Sequence, residues 1–189
     1  MEKDRIISFE VLFKEYADAL FAYGLKFCRD TNIVEDAIQD LFLKLIRNNT
    51  DFSSVENVKA YLFCSYRRKL LELLSERKLY SIDGQESLRF MVELRYVTFL
   101  NESSLDDETI RRRQDLLKMI EQLTSRQKEV VYLYYIQDLP LDQIADIMGM
   151  NYQSVRNLVH RAIGRLRELV KKSKFSGSSI LLATLLIHV

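Results

Sequence analysis

Apolar residues recur at three- and four-residue intervals through most of the chain, the spacing of helices that bury one face. Between residues 8 and 78 it predicts three helices. The first, "SFEVLFKEYADALFAYGLKFC", carries Phe9, Leu12, Phe13, Tyr16, Leu20, Tyr23 and Phe27 as an aromatic-rich stripe behind Ser8, a residue type that caps helix starts. The second runs from about Ile33 to Arg47 after the polar break "RDTN", with Val34, Ala37, Ile38, Leu41, Phe42 and Leu45 on its buried side. The third is expected from about Val55 to Lys78 after "NNTDFSS", with Ser54 as its cap. Short connections make the three one small bundle.

From Leu79 to about Asp115 the regularity fades. "SIDGQES" and the acidic "NESSLDDE" are turn-rich, so residues 79–115 read as a linker, although "LRFMVELRYVTFL" in its middle is apolar enough for a short helix or strand. Periodicity returns in a second helical domain, residues 116–174. Thr124 stands three residues before Gln127, the spacing of a capping box. Pro140 falls at a first helical turn and Gly149 at a left-handed stop, after which Asn151 can cap the next helix. That helix has two unlike sides. Val155, Leu158, Val159, Ala162, Leu166 and Leu169 form a stripe to be buried, opposite Gln153, Arg156, Asn157, His160 and Arg161.

Two helices joined by "GMN", with small Ala145 where a second helix can approach, match the helix-turn-helix plan, whose second helix enters the major groove of DNA. Tyr152, Gln153, Ser154, Arg156, Asn157 and His160 are then the groove-facing candidates, and Arg161 and Arg165 flank the phosphates. A charged helix face is more often simply solvated. Cap, glycine turn, second cap and cationic excess together favour DNA. The bland reading of His160 is a surface or groove residue, since no second metal ligand stands at helical spacing from it.

Composition agrees with this picture and narrows it. The chain has 189 residues, 48% hydrophobic and 11% aromatic, enough for packed cores, and one proline with five glycines is too little punctuation for sheets. The fold class is therefore all-α: two small helical domains joined by a linker. A formal net charge of +1 hides an asymmetry, because between residues 150 and 174 Arg156, Arg161, Arg165, Arg167, Lys171, Lys172 and Lys174 face only Glu168. Cys28 and Cys64 stand apart without histidines at ligand spacing, so buried structural thiols are expected, with no metal and no cofactor. The opening "MEKDRIISFEVLF" lacks a secretion-signal pattern, and a cytoplasmic protein is expected. The apolar end "SILLATLLIHV", within a tail at residues 175–189, is too short to span a bilayer and reads as packed on its own domain or as a docking segment.

The second helix also carries Asp36, Gln39, Asp40 and Leu43 at i, i+3, i+4 and i+7, a stripe combining carboxylates with an exposed leucine. It is either a solvated face or a surface for another protein's helix; phosphates would be repelled from it.

With these segments in view, the chain resembles an extracytoplasmic-function sigma factor, the minimal promoter-recognising subunit of bacterial RNA polymerase, over about residues 8–78 and 116–170. "VEDAIQDLFLKL" is similar to the family's region 2 helix that docks on the clamp coiled coil of the polymerase's largest subunit, and "AYLFCSYRRKLLELL" to its promoter-melting helix. "LTSRQKEVVYLYYIQDLPLDQIADIMGMNYQSVRNLVHRAIGRLREL" resembles region 4 in order, spacing and punctuation. The resemblance implies that Asp36, Gln39, Asp40 and Leu43 grip core RNA polymerase, and that Asn151 to Arg161 read promoter DNA near minus 35. It further implies that "NNTDFSS" and the helix carrying Lys59, Tyr61, Tyr66, Arg67 and Arg68 handle the minus 10 element. Opening a duplex needs a stacking surface or pocket for an extruded base, and cations for the separated strand. Phe52 and Tyr61, with Arg67, Arg68 and Lys69, supply both kinds of group, while Tyr61 and Tyr66 have a core reading as well. Arg68 and Glu72 depart from the asparagine and aspartate the family often has there. The resemblance also implies an anti-sigma factor as partner.

Two other classes compete. A helix-turn-helix regulator with a helical sensing or dimerisation domain would bind its operator unaided, whereas a sigma factor needs core polymerase. A helical interaction protein would make the arginines of the last helix incidental. An enzyme is the least supported reading, since no phosphate-binding glycine loop, nucleophile elbow or metal-ligand run occurs.

Overall fold

The structure is a computed structural model describing residues 8–28, 30–76, 115 and 118–172. The expected tail, and all of the expected linker but Asp115, lie outside the described residues, which are helical with no strand among them. The chain divides into two compact units. The first is built on α1 (Phe9–Gly24), α2 (Thr31–Arg47) and α3 (Val58–Glu76). The second contains α4 (Ser125–Val131), a π-helical turn at Tyr132–Ile136, α5 (Leu141–Met148) as far as Ala145, and α6 (Tyr152–Lys172).

In the first unit α2 packs on both α1 and α3, and α1 on α3. The expected stripes meet in the middle, where Leu20, Tyr23, Ile33, Val34, Ala37, Leu62, Phe63, Tyr66 and Leu70 lose their whole surface. Aromatic rings organise this core. Tyr23 makes edge contacts with Phe27 at 5.3 Å and Phe63 at 5.2 Å between centroids. Tyr66 belongs to the core, its hydroxyl donating to the Val34 carbonyl at 3.4 Å. Gly24 makes room for it: a β-carbon there would run into the Tyr66 hydroxyl and a Val34 methyl.

Three boundaries differ from expectation. The first helix stops at Gly24 rather than Cys28, where the Lys26 and Phe27 N–H groups reach only three residues back, to the Tyr23 and Gly24 carbonyls at 3.2 and 2.9 Å. The Asp30 carboxylate then accepts the Asn32 N–H at 3.0 Å and starts α2 at Thr31. At the third helix the cap is Asn57 instead of Ser54: its side-chain oxygen accepts the Ala60 N–H at 3.1 Å and its carbonyl accepts the Tyr61 N–H at 3.1 Å. Residues 49–55 cannot join α3, being fastened in turns. Asn49 is left-handed at φ 44° beyond the end of α2, Thr50 N–H donates to the Leu45 carbonyl at 3.0 Å, and the Asp51 carboxylate takes both the Ser53 N–H at 2.8 Å and its hydroxyl at 2.7 Å. Both cysteines are free thiols, Cys28 buried as expected and Cys64 only half-buried.

In the second unit α4 opens with the expected capping box: Thr124 Oγ1 accepts the Gln127 N–H at 3.3 Å, and Gln127 Oε1 accepts the Thr124 N–H at 2.9 Å. The π-helical turn was not expected. It is closed by the Gln137 N–H on the Tyr132 carbonyl at 3.0 Å, and the Gln137 amide donates to the buried Tyr132 hydroxyl at 2.6 Å. Pro140 sits just ahead of α5, its carbonyl accepting the Ile144 N–H at 3.0 Å. After α5, Gly149 adopts φ +63°, with Met150 N–H on the Ala145 carbonyl at 2.9 Å and Gly149 N–H on the Asp146 carbonyl at 3.3 Å. That pair of bonds is a Schellman stop, which needs a residue at ease in the left-handed region. α4 packs on α6, whose six expected stripe residues are all buried together with Ile163. None of the described helices is long and apolar enough to cross a membrane.

Candidate nucleic-acid interface and docking face

At the start of α6, Asn151 Oδ1 accepts the Ser154 N–H at 2.8 Å and the Asn151 carbonyl accepts the Val155 N–H at 3.1 Å. This cap fixes the direction of the first turn and occupies one oxygen of a predicted DNA reader. Beyond it Tyr152, Gln153, Arg156, Asn157, His160 and Arg161 are exposed, and Ser154 and Arg165 half-buried. The face is partly organised in advance. Gln153 Nε2 donates to Asn157 Oδ1 at 3.3 Å, which leaves the Asn157 amide N–H groups directed away from that bond. Arg161 Nε donates to the Asn157 carbonyl at 3.3 Å, drawing the guanidinium along the helix. Arg165 contacts Glu168 at 3.3 Å and Gln122 at 3.5 Å, so part of its charge is answered within the unit. Chemically the face offers amide, imidazole and guanidinium groups, the set that meets base edges and phosphates.

The residues expected at the minus 10 element are brought together less completely. Tyr61 is 36% exposed and Phe52 only 7%, so Phe52 is a buried ring beneath Tyr61 and not a surface of its own. Of the cations on α3, Arg68 is exposed, Lys59 and Arg67 are half-buried, and the Arg67 guanidinium lies 5.8 Å from the Phe27 ring centroid. Lys69 is committed elsewhere: its ammonium meets Asp40 at 3.1 Å and Glu72 at 3.7 Å. The hydrogen bond to Asp40 is the main reason its pKa is raised.

On α2, Asp36, Gln39, Asp40 and Leu43 all stand exposed on the side away from the core. Leu43 is 48% exposed, and Ile46, which the sequence reading left out, is 52% exposed. Ile46 follows Leu43 at i+3 and lies off the buried stripe, so spacing alone could have found it. The ring of Phe9, at the first turn of α1, is half-buried and packs on Phe52 at 6.1 Å between centroids.

Comparison with known proteins accounts for both units. The model for sigma-70 region 2 matches residues 12–79, and that for sigma-70, region 4, matches residues 113–166. The sigma factor YlaC of Bacillus subtilis is 25% identical over 175 residues, covering 88% of this chain and 94% of its own. An RNA polymerase sigma-E factor of Streptomyces coelicolor is 26% identical over 172 residues, 86% of each chain. Among solved structures, the sigma factor RpoE, in complex with the anti-sigma factor NepR from Bartonella quintana, is similar with a TM-score of 0.56 at 24% identity over 88% of this chain and 98% of that one, a likeness of fold. Both regions are present, in order, which disfavours a regulator with a sensing domain. The chain belongs to the extracytoplasmic-function group of the sigma-70 family, the subunits that direct RNA polymerase to promoters.

Proposed function

We propose that this sigma factor divides its work between the faces described above. α6 enters the major groove at the minus 35 element, with Gln153, Arg156, Asn157 and His160 toward base edges and Arg161 and Arg165 toward phosphates. Asn151, Tyr152 and Ser154 fix its entry. α2 holds core polymerase through Asp36, Gln39, Asp40 and Leu43 against the clamp coiled coil of the largest subunit, acids meeting basic residues around an apolar centre. Tyr61, supported by Phe52, and the cations Lys59, Arg67 and Arg68 engage the opened minus 10 strand. The supporting observation is the segregation of α6, whose buried stripe and exposed polar face are both set by the Asn151 cap and the Gly149 turn.

Sigma factors are not enzymes, and in this reading nucleotide addition is the polymerase's alone. The work then lies in the cytoplasm, with the polymerase and the chromosome. An anti-sigma factor is proposed as the partner that restrains it, since the similar RpoE was crystallised with one. In vitro transcription with core polymerase from a related bacterium, followed by mapping of transcript ends, tests the assignment. New start points that disappear with Arg156→Ala combined with Arg161→Ala support it; equal transcription by the wild type and this double variant rejects the α6 assignment.

A further inference from the structure

We infer that Phe9 and Phe52 are positioning residues for promoter opening: with Tyr61 they form a three-ring ladder that holds the Tyr61 ring as the plate on which an unstacked base of the melted strand settles. This rests on the reading of α3 and its preceding loop as the minus 10 surface.

The buried ring is the middle one, Phe52, with half-buried Phe9 on one side and Tyr61 on the other. Phe9, on the first turn of α1, meets Phe52 at 6.1 Å between centroids and 65° between planes. Phe52 in turn meets Tyr61 at 5.7 Å and 89°. A perpendicular contact of this kind is a favoured aromatic geometry, and it leaves at least one face of the Tyr61 ring uncovered by Phe52. Phe52 is 7% exposed and Tyr61 36%, so the outward ring of the pair is Tyr61.

Phe52 and Tyr61 are each fixed by something other than the neighbouring rings. The Asp51 carboxylate, bonded to the Ser53 N–H and hydroxyl, folds the loop, and the Val55 N–H closes it on the Phe52 carbonyl at 3.1 Å. Tyr61 stands one turn into α3, its N–H on the Asn57 carbonyl of the cap. Phe9 belongs to a helix end whose Ser8 makes no side-chain capping bond, so packing on Phe52 is what that first turn gains. A base has a π-face whatever its identity, so a held aromatic plate serves opening itself more than sequence choice.

The test uses holoenzyme on a promoter identified by start-site mapping, with 5-iodouracil placed at successive positions of the non-template minus 10 strand. Irradiation links this base to an aromatic ring stacked against it, and the linked peptide is identified by mass spectrometry. Wild type is expected to crosslink through Tyr61. Phe9→Ala should still co-purify with core polymerase, yet lose roughly 2- to 10-fold in Tyr61 crosslinking and in the rate of open-complex formation, the span of an aromatic pair's contribution. Phe9→Tyr, which keeps a ring, should restore both. Phe52→Leu retains apolar volume without the ring and should lose crosslinking as well, which keeps the question open to test should Phe9→Ala fold poorly. Undiminished Tyr61 crosslinking in Phe9→Ala or Phe52→Leu overturns the ladder while the minus 10 reading stands. A wild type that never crosslinks through Tyr61 overturns both.

Discussion

Asn151 meets two demands with one side chain. Its oxygen closes the first turn of α6, and it stands among the residues proposed above to face DNA. The two roles separate by substitution. Asn151→Ala should lower the stability of the second unit by about 1 kcal/mol in denaturant titration, the usual cost of a lost cap. Asn151→Asp should unfold near wild type, since aspartate caps equally well, while promoter affinity falls because a carboxylate now faces phosphates. Gly24 is a second site where one atom matters: Gly24→Ala should cost about 1–3 kcal/mol, as overpacking of a filled core does, measured as a lowered denaturation midpoint. The contribution of Asn151, Gly149 and Thr124 was legible in the sequence because caps and left-handed stops are decided within four or five residues. Phe52 was not. Its burial depends on the Asp51–Ser53 turn and on a ring from α1, forty-three positions away by subtraction of 9 from 52.

At the scale of elements, α6 was almost wholly readable, because a helix with a buried stripe declares its opposite face by spacing alone. The π-helical turn before α5 was invisible: it exists through the Gln137–Tyr132 bonds, and neither residue type implies them. The pairing of α2 with α3 by Asp40 and Lys69 was equally hidden, since spacing within one helix says nothing of the charge facing it. That ion pair changes what is expected of Asp40. Partly exposed pairs contribute about 0.2–1 kcal/mol, so Asp40→Arg should unfold within roughly 1 kcal/mol of wild type despite opposing Lys69, yet abolish co-purification with core polymerase. Retained co-purification of the folded variant would reject the docking face. On α6, Arg161→Ala should reduce the salt slope of promoter binding by about 1 and weaken all sequences alike. Arg156→Ala should instead relax preference at one base position, as competition with single-base variants of the promoter will show.

For the whole molecule, a net charge of +1 describes neither surface that matters, since acids gather on α2 and arginines on α6. Stability against pH follows a different set of groups, one in each unit. Burial, reinforced by the hydrogen bond and charge of Glu15, pushes the Tyr16 hydroxyl up from 10.0 to about 12. Burial likewise pushes Tyr135 up to about 12, with Tyr134 adding to the rise and Arg167 opposing it. A raised folded-state pKa means that the folded chain holds its proton where the unfolded chain has lost it. The stability tied to these hydroxyls is therefore complete below the unfolded value near 10 and is withdrawn as pH rises from there toward 12. Lys69 adds to the same trend, its ammonium held by Asp40 until it deprotonates. Denaturation midpoints should thus be level from neutral pH to about 9.5 and fall steadily above it, the range set by tyrosine's ordinary pKa. Tyr16→Phe and Tyr135→Phe remove the ionisable hydroxyl while keeping the ring, so each should flatten part of that alkaline decline and the pair should flatten more than either. Midpoints that fall as steeply in the double variant as in wild type would show that the two half-buried hydroxyls do not govern the alkaline limit of this fold.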